Sequence, residues 1–469
     1  MVALARHALA IFAPLVVVLG GSACGGSIGA GTDAGASEGD ASVPRVTALA
    51  AGAAHTCVLF SNGTVACWGD NSAGELGAGT STGPETCDGS PCSTVPVPVS
   101  GLSGVAAIAT GSGHDCALLT DGTVECWGDN SWGELGAGTM TGPQTCFDGS
   151  PCSATPVAVS GLSGVTAIAA GGSQTCALLA GGTVECWGGN AYGELGEGTS
   201  TGPQRCFEEF ACSTAPVEVP GLSGVTALAA GAEHTCALLS AGTVVCWGDN
   251  TFGELGDGSI LGPEQCRGGD PTGEIGAGYC STTPVAVSGL SGVVALAAAG
   301  WETCARLSGG TVECWGYDEY GWLTGATSAD LGICGGGAQC AATPIAVPGL
   351  SGVTAVAPSG EWQTCALLSD ETVECWGDDA YGELGDGTST GDTMCEGYPC
   401  SAPPAAVPGL RDVTAIAVGE GHGCALLSSG AVECWGENEY GELGTGTSTG
   451  PETCNGEACS TTPVAVSGL

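Results

Sequence analysis

The sequence contains no lysine. Six arginines and five histidines are its only basic side chains, against 49 acidic ones, and the formal net charge is −43. Such a chain repels phosphate backbones, which need Lys and Arg to displace their counterions, so nucleic acid is not an expected partner. Anionic membrane surfaces are disfavoured for the same reason. The expected partners are neutral, cationic or metal-bearing. Charged residues amount to only 12% of the 469 residues while 43% are hydrophobic, and that apolar share excludes a disordered chain. After residue 45 there is no stretch with a helical period and caps, and no apolar run long enough to span a membrane. Catalytic signatures are also lacking: no G-x-S-x-G elbow in a strand-turn-helix setting, no H-E-x-x-H, no P-loop and no S-x-D-x-G-x-T-W box.

At the N-terminus, Arg6 and His7 precede an apolar run from Ala8 to Leu19 that ends in Gly20-Gly21-Ser22-Ala23-Cys24. A basic start, a short apolar segment and a small-residue exit predict a secretory signal over residues 1–24. The Gly-Ser-Ala-Cys ending resembles the lipobox of bacterial lipoproteins, which implies lipidation of Cys24; Gly21 stands where that motif usually has Leu. Plain cleavage and release is the alternative. Residues 25–45, rich in Gly, Ala, Ser and Thr with Asp33, Glu38 and Asp40, read as a flexible tether. The expected location is the cell surface, as an outer-membrane lipoprotein, or the extracellular medium.

From residue 46 onward the chain repeats itself. The pattern C-A-L-L-x-x-G-T-V-E-C-W-G recurs seven times, its first Cys at Cys57, Cys116, Cys176, Cys236, Cys304, Cys365 and Cys424. Each unit of about sixty residues holds four strand-like runs, exemplified by Pro156–Val159, Val165–Gly171, Thr175–Leu179 and Gly182–Gly188, separated by Gly, Ser, Pro, Asn and Asp. Four short strands in each of seven units predict an all-β, seven-bladed propeller over residues 46–469. The chain starts at Val46 without a preceding P-V-x-V and ends on Pro463–Leu469 with nothing after it. The expectation is that these N- and C-terminal strands pair in one sheet and close the ring, since an open array would leave two unpaired edges.

The run H-T-C-A-L-L-x-x-G-T-V-x-C-W-G-D-N-x-x-G-E-L-G resembles the repeat of the regulator-of-chromosome-condensation family across nearly all of residues 46–469. The resemblance implies a seven-bladed propeller and, by analogy with other bacterial members, a role in binding proteins. There are departures. The family's G-Q-L-G is G-E-L-G here, at Glu75, Glu134, Glu194, Glu254, Glu383 and Glu442, and the fifth copy is degenerate at Gly321-Trp322-Leu323-Thr324. The founding member's action on a nuclear GTPase and on chromatin is not carried over to an exported chain of this charge.

Of 29 cysteines, Cys24 stands apart and the other 28 fall four to a repeat. In an exported chain this parity predicts fourteen disulfides. Seven would cross a hairpin: Cys57-Cys67, Cys116-Cys126, Cys176-Cys186, Cys236-Cys246, Cys304-Cys314, Cys365-Cys375 and Cys424-Cys434. Seven would close short loops: Cys87-Cys92, Cys146-Cys152, Cys206-Cys212, Cys266-Cys280, Cys334-Cys340, Cys395-Cys400 and Cys454-Cys459.

The recurrent His55, His114, His234 and His422 are replaced by Gln174, Glu302 and Gln363 in the other repeats, which suits a hydrogen-bonding strut better than a general base. The acidic turn W-G-D-N-x-x-G-E supplies hard oxygen ligands, and Asp129 with Glu134 or Asp249 with Glu254 are candidates for calcium; no other cofactor is indicated. The competing reading is a turn bonded to its own backbone. Trp132, Tyr192, Phe252, Tyr320, Tyr381 and Tyr440 precede the Gly of that turn and offer surfaces for a sugar or a protein, or packing between blades. Phe207, Phe210, Arg267 and Tyr279 mark the most variable disulfide loops, which are expected to share one face and to form the binding surface. The function expected is therefore non-catalytic: binding of a protein or another envelope component through one propeller face. A carbohydrate-binding or calcium-dependent adhesive lectin is the alternative and a hydrolase the remotest.

Overall fold

The computed structural model describes residues 43–469 except 148, 207–209, 267–277, 319–322, 324–330, 360–361, 392 and 396–397. The signal segment, Cys24 and nearly all of the tether lie outside the described residues, as do Phe207, Arg267 and Tyr320. The described chain forms seven antiparallel sheets arranged alike.

The first blade shows why these residues become strands. β1 (Val46–Ala51), β2 (His55–Phe60), β3 (Val65–Asp70), β4 (Glu85–Cys87) and β5 (Ser90–Pro98) lie in the order β1-β2-β3-β5-β4. β2 and β3 are buried almost throughout, because a blade packs on a neighbour at each face, so their sequences read as continuous apolar runs rather than alternation. The β2–β3 turn is set by Asn62, whose Oδ1 accepts from the Thr64 amide at 3.1 Å and hydroxyl at 2.7 Å. That turn places Cys57 directly opposite Cys67, with Cα atoms 4.1 Å apart, and the same pairing recurs in all seven hairpins. The other seven cysteine pairs join β4 to β5 and their counterparts at disulfide distance, with Cα separations of 5.8–6.0 Å.

Two expectations need correction. Each blade has five strands, not four: β4 and its counterparts are edge strands of two or three residues, too short to show any apolar pattern. The P-V-x-V run is also not the first strand of a blade. It ends the long fourth strand in space of the preceding blade, as Pro96, Val97 and Pro98 do in β5. The chain therefore holds seven whole blades, and the last strand, Glu457–Ala465, pairs with Val432–Glu437 in the seventh sheet, not with β1. The termini share no sheet. The ring still closes, because the innermost strand of every blade touches its two neighbours and β1 touches Val413–Val418. Val46, Leu49 and Trp68 share one core cluster with Leu443, Val464 and Val466, so side-chain packing seals the seam.

Seven tryptophans, Trp68, Trp127, Trp187, Trp247, Trp315, Trp376 and Trp435, are completely buried between blades. The indole N–H of Trp187 donates to the Glu134 carbonyl of the preceding blade at 2.6 Å, and Trp68 reaches across the seam to the Glu442 carbonyl at 2.7 Å. Glycine is required on both sides of this contact. Gly188 has φ +100° with a backbone carbonyl against its Cα, and a Cβ on Gly136 would meet the Trp187 ring at 2.8 Å. Trp187→Ala removes a filled interior volume and the indole bond to the Glu134 carbonyl, which keeps only the longer bond from the Thr175 hydroxyl, so a loss of about 3–5 kcal/mol is expected in chemical denaturation.

Candidate functional site

Strand direction divides the ring into two faces. One carries the β2–β3 turns and the G-L-S-G links between blades. The other carries the loop after the innermost strand (residues 52–54 in the first blade), the W-G-D-N turn after β3, and the disulfide-stapled β4–β5 hairpin. The stapled hairpins thus all rise on one face, beside the acidic turns. Each leans on the preceding blade: the Phe147 amide donates to the Ser72 carbonyl at 3.0 Å, and the Gly335 amide to the Thr251 carbonyl at 3.0 Å.

Near the axis on this face, the recurrent His positions act as struts between blades. The imidazole Nε2 atoms of His114, His234 and His422 meet the hydroxyls of Thr175, Thr303 and Thr56 at 2.7–2.8 Å. Gln174 donates to the Gly231 and His234 carbonyls, and Glu302 accepts from Thr364. His55 differs: it meets Asp115 at 3.0 Å, both fully buried. Burial pushes His114, His234 and His422 down to about 3, while the Asp115 carboxylate overcomes burial and holds His55 above its ordinary value.

The acidic turn is bonded to itself. Asn130 Oδ1 accepts from the Leu135 amide and its Nδ2 donates to the Thr139 carbonyl. Asp129 Oδ1 accepts from the Asn130 and Ser131 amides and the Ser131 hydroxyl, and Asp249 Oδ1 accepts from Thr251. Glu134 Oε2 takes the Trp132 amide and Glu254 Oε2 the Phe252 amide. Among the described residues, every set of three His, Cys, Asp or Glu groups within 4.8 Å includes a disulfide cysteine, and none includes Asp129, Glu134, Asp249 or Glu254. Burial, aided by neighbouring acids, pushes Glu75, Glu134, Glu254, Glu383 and Glu442 well above the usual carboxylate range and Glu194 to about 8. A carboxyl that keeps its proton has the shape and hydrogen-bonding capacity of a glutamine amide, which is why Glu stands here for the Gln of the related repeat.

The described aromatics before the turn's Gly are half-buried, and Trp132, Tyr192 and Tyr381 meet the next blade's stapled hairpin. Trp132 packs on Phe210 with ring centroids 5.0 Å apart, Tyr192 lies against Gly278, and the Tyr381 hydroxyl accepts from Asn455 at 3.4 Å. Tyr279 follows Gly278 on the stapled strand, and its carbonyl accepts from the Asn250 amide. Tyr440 lies beside Asp70, Glu437 and Glu442. Phe252 has other company: Tyr317 at 5.0 Å and Trp301 at 5.4 Å, themselves 5.6 Å apart. Sequence reading missed Trp301 and Tyr317. The available signal was departure from the repeat, since Trp301 stands where the first blade has Ala54 and Tyr317 where most blades have an acid.

A second group was also missed. Phe147 (60% exposed), Ile333 (63%), Met394 (63%) and Tyr398 (46%) each lie within a staple or beside one of its cysteines. Met140 and Leu261, on the approaches to two staples, are exposed as well. Of the nine exposed large apolar side chains among the described residues, four thus sit on the stapled hairpins and two more on their approaches.

A ring of seven stapled five-stranded blades, with exposed apolar side chains on the hairpins of one face, defines a disulfide-rich β-propeller. Models of the regulator of chromosome condensation (RCC1) repeat match residues 46–254 and 413–442, more than half of the chain, which therefore belongs to the RCC1 repeat family. The ultraviolet-B receptor UVR8 of Arabidopsis thaliana is 28% identical over 366 residues, covering 75% of this chain and 70% of that one. The secretion-regulating guanine nucleotide exchange factor of Bos taurus is 27% identical over 363 residues, 73% of this chain and 68% of its own. Yeast RCC1 (Prp20), solved with Kap60 bound, superposes with a TM-score of 0.64 at 18% identity over 95% of this chain and 92% of its own.

Proposed function

We propose that this chain is an exported, non-catalytic binding protein that docks a partner protein on the face carrying the stapled hairpins. The observation that carries the reading is the concentration of exposed Phe147, Ile333, Met394 and Tyr398 on those hairpins. Water-facing side chains of this size, each held by a disulfide, lose little conformational entropy on docking and bury apolar area. Yeast RCC1 (Prp20) is solved with Kap60 bound, and UVR8 is named a receptor, both consistent with this role. Fourteen cysteine pairs point to an oxidising compartment, which supports export. Lipidation at Cys24 would tether the ring to an envelope membrane.

The test is capture of partners from the source envelope by the wild type and by Phe147→Ser/Ile333→Ser/Met394→Ser/Tyr398→Ser. A partner held by the wild type and lost, at least about tenfold, by the variant supports the reading. Equal capture by both, or capture abolished only by changes in the opposite face's Asn62 and Asp121 turns, overturns it. A lectin would instead bind a glycan array through the half-buried aromatics and be indifferent to the hairpin changes.

A further inference from the structure

The last and first blades meet where the repeat changes its acids. Glu437 stands where other blades have Asp70, Asp129, Asp249 and Asp378, and Glu439 stands where the first two have Ser72 and Ser131. The shorter Asp129, Asp249 and Asp378 carboxyls accept bonds inside their own turns. Glu437 is one methylene longer, and its carboxyl makes no hydrogen bond among the described residues; its Oε2 lies against Gly421 instead. Glu437 pairs with Cys459 across the strands, and Glu457 lies two residues before Cys459. These two carboxyls are therefore diagonal neighbours on one face of the sheet. Asp88, at the tip of the first blade's stapled hairpin, reaches Glu439 across the seam. The two carboxyls meet at hydrogen-bonding distance, which takes one proton between them.

Asp88 and Glu457 are exposed and Glu439 is half-buried, so the group opens to water on the stapled face. Tyr440, also half-buried, lies beside Glu437, Glu439 and Asp70 of the first blade. Two of these carboxyls are short of donors. Asp70 Oδ2 accepts from the Ser72 hydroxyl, but its Oδ1 is shut from water with no partner, and the largely buried Glu437 carboxyl has none. Only acids act on the pair of glutamates: Glu457 on both, and Asp88 with Glu437 on Glu439. Burial and these like charges raise Glu437 and Glu439 to about 7 each. A cation entering the group supplies the missing donors and relieves the repulsion. A metal ion does not suit the spacing, since among the described residues no three of these carboxyls come within 4.8 Å of one another. A guanidinium spreads five N–H donors over a plane, reaches acids that stand further apart, and stacks on a ring such as that of Tyr440.

We propose that this seam is a subsite for an arginine side chain of the docked partner, its guanidinium held among Glu437, Glu439 and Glu457 of the last blade and Asp88 of the first. The proposal rests on the docking face inferred above, since these acids rise on the side of the stapled hairpins, and it names the chemistry recognised there. A chain with no lysine and a net charge of −43 attracts a basic segment over its whole surface, and the seam adds the place where one guanidinium is fixed.

The experiment titrates the full chain with an acetylated, amidated Gly-Arg-Gly-Arg-Gly peptide by calorimetry at pH 8 in about 0.15 M salt, which screens diffuse surface charge. Glu437→Asp/Glu439→Ser gives the last blade the turn residues of the first and is expected to fold; Asp121→Ser removes the same charge on the opposite face. Binding at least about tenfold weaker in the seam variant, and within about twofold of wild type in Asp121→Ser, is the expected result. Wild-type binding should also weaken several-fold from pH 8 to pH 6, because protons returning to Glu437 and Glu439 compete with the guanidinium, and the seam variant should lose most of that slope. Equal binding by all three proteins, none by the wild type, or a wild-type affinity flat across that range overturns the subsite. The matching lysine peptide, spermine or calcium bound as tightly as the arginine peptide overturns the assignment to a guanidinium. Partner capture separates the two readings. Capture lost in the Phe147, Ile333, Met394 and Tyr398 variant but normal in the seam variant leaves the docking face standing and overturns the subsite. Peptide binding that depends on the seam while capture ignores the hairpin changes overturns the docking face and keeps the subsite.

Discussion

Replacing Glu75, Glu134, Glu194, Glu254, Glu383 and Glu442 together by Gln should raise the thermal midpoint at pH 8 by on the order of 5 °C or more and leave it nearly unchanged at pH 5. In the folded chain these carboxyls hold their protons well above the usual range, to about 8 at Glu194, because burial disfavours the charged form. Unfolded, they release protons near pH 4.5. Between those limits the native state binds more protons than the unfolded one, so stability is present below the unfolded pKa and is lost as pH rises toward 8. Glutamine keeps the bond from the backbone amide two residues earlier and has no proton to lose. The acid limb is separate: His114, His234 and His422 are depressed to about 3, so stability also falls as pH drops from about 6.5 toward 3, in wild type and variant alike. A melting series from pH 4 to 9 decides. A wild-type midpoint flat from pH 5 to 8, or a variant that melts lower at pH 8, would contradict the buried, protonated glutamates.

Reduction should be the other large effect. Each hairpin bridge closes ten residues of sequence and constrains the unfolded chain by roughly 2–3 kcal/mol in the chain-entropy picture. The seven hairpin pairs are essentially without solvent contact, whereas Cys146, Cys206 and Cys334 in the staples are slightly exposed and Cys395 of the sixth blade is half-buried. Mild thiol treatment should therefore open the staple of the sixth blade first, then those of the second, third and fifth, leave the β signal intact and weaken partner capture. Complete reduction in low denaturant should unfold the ring, with loss of the near-ultraviolet signal of the seven buried tryptophans. Mass spectrometry after alkylation orders the events; hairpin cysteines labelled before staple cysteines would contradict this order.

The repeat, its seven copies, the tryptophan core and the pairing of cysteines were legible because each depends on neighbours within one unit. The β2–β3 turn brings Cys57 opposite Cys67 by local geometry alone. The phase of the blades was not legible. P-V-x-V adjoins the next unit in sequence but hydrogen-bonds to the previous one in space, and a periodic pattern looks the same wherever it is cut. The surroundings of the acidic turn were not legible either: Glu134 Oε2 accepts from the Trp132 amide two residues earlier, and the side chain is buried, contacts that only the folded turn sets.

The amino-acid sequence by itself determined an all-β ring of seven like units and a surface short of positive charge, since both follow from composition and periodicity. Tertiary structure alone decided which strand closes each sheet, that burial raises the recurrent glutamates above the usual carboxylate range, and that Phe252, Trp301 and Tyr317 meet. Those outcomes depend on which blade lies against which, and contact between units sixty residues apart leaves no periodic mark in the chain.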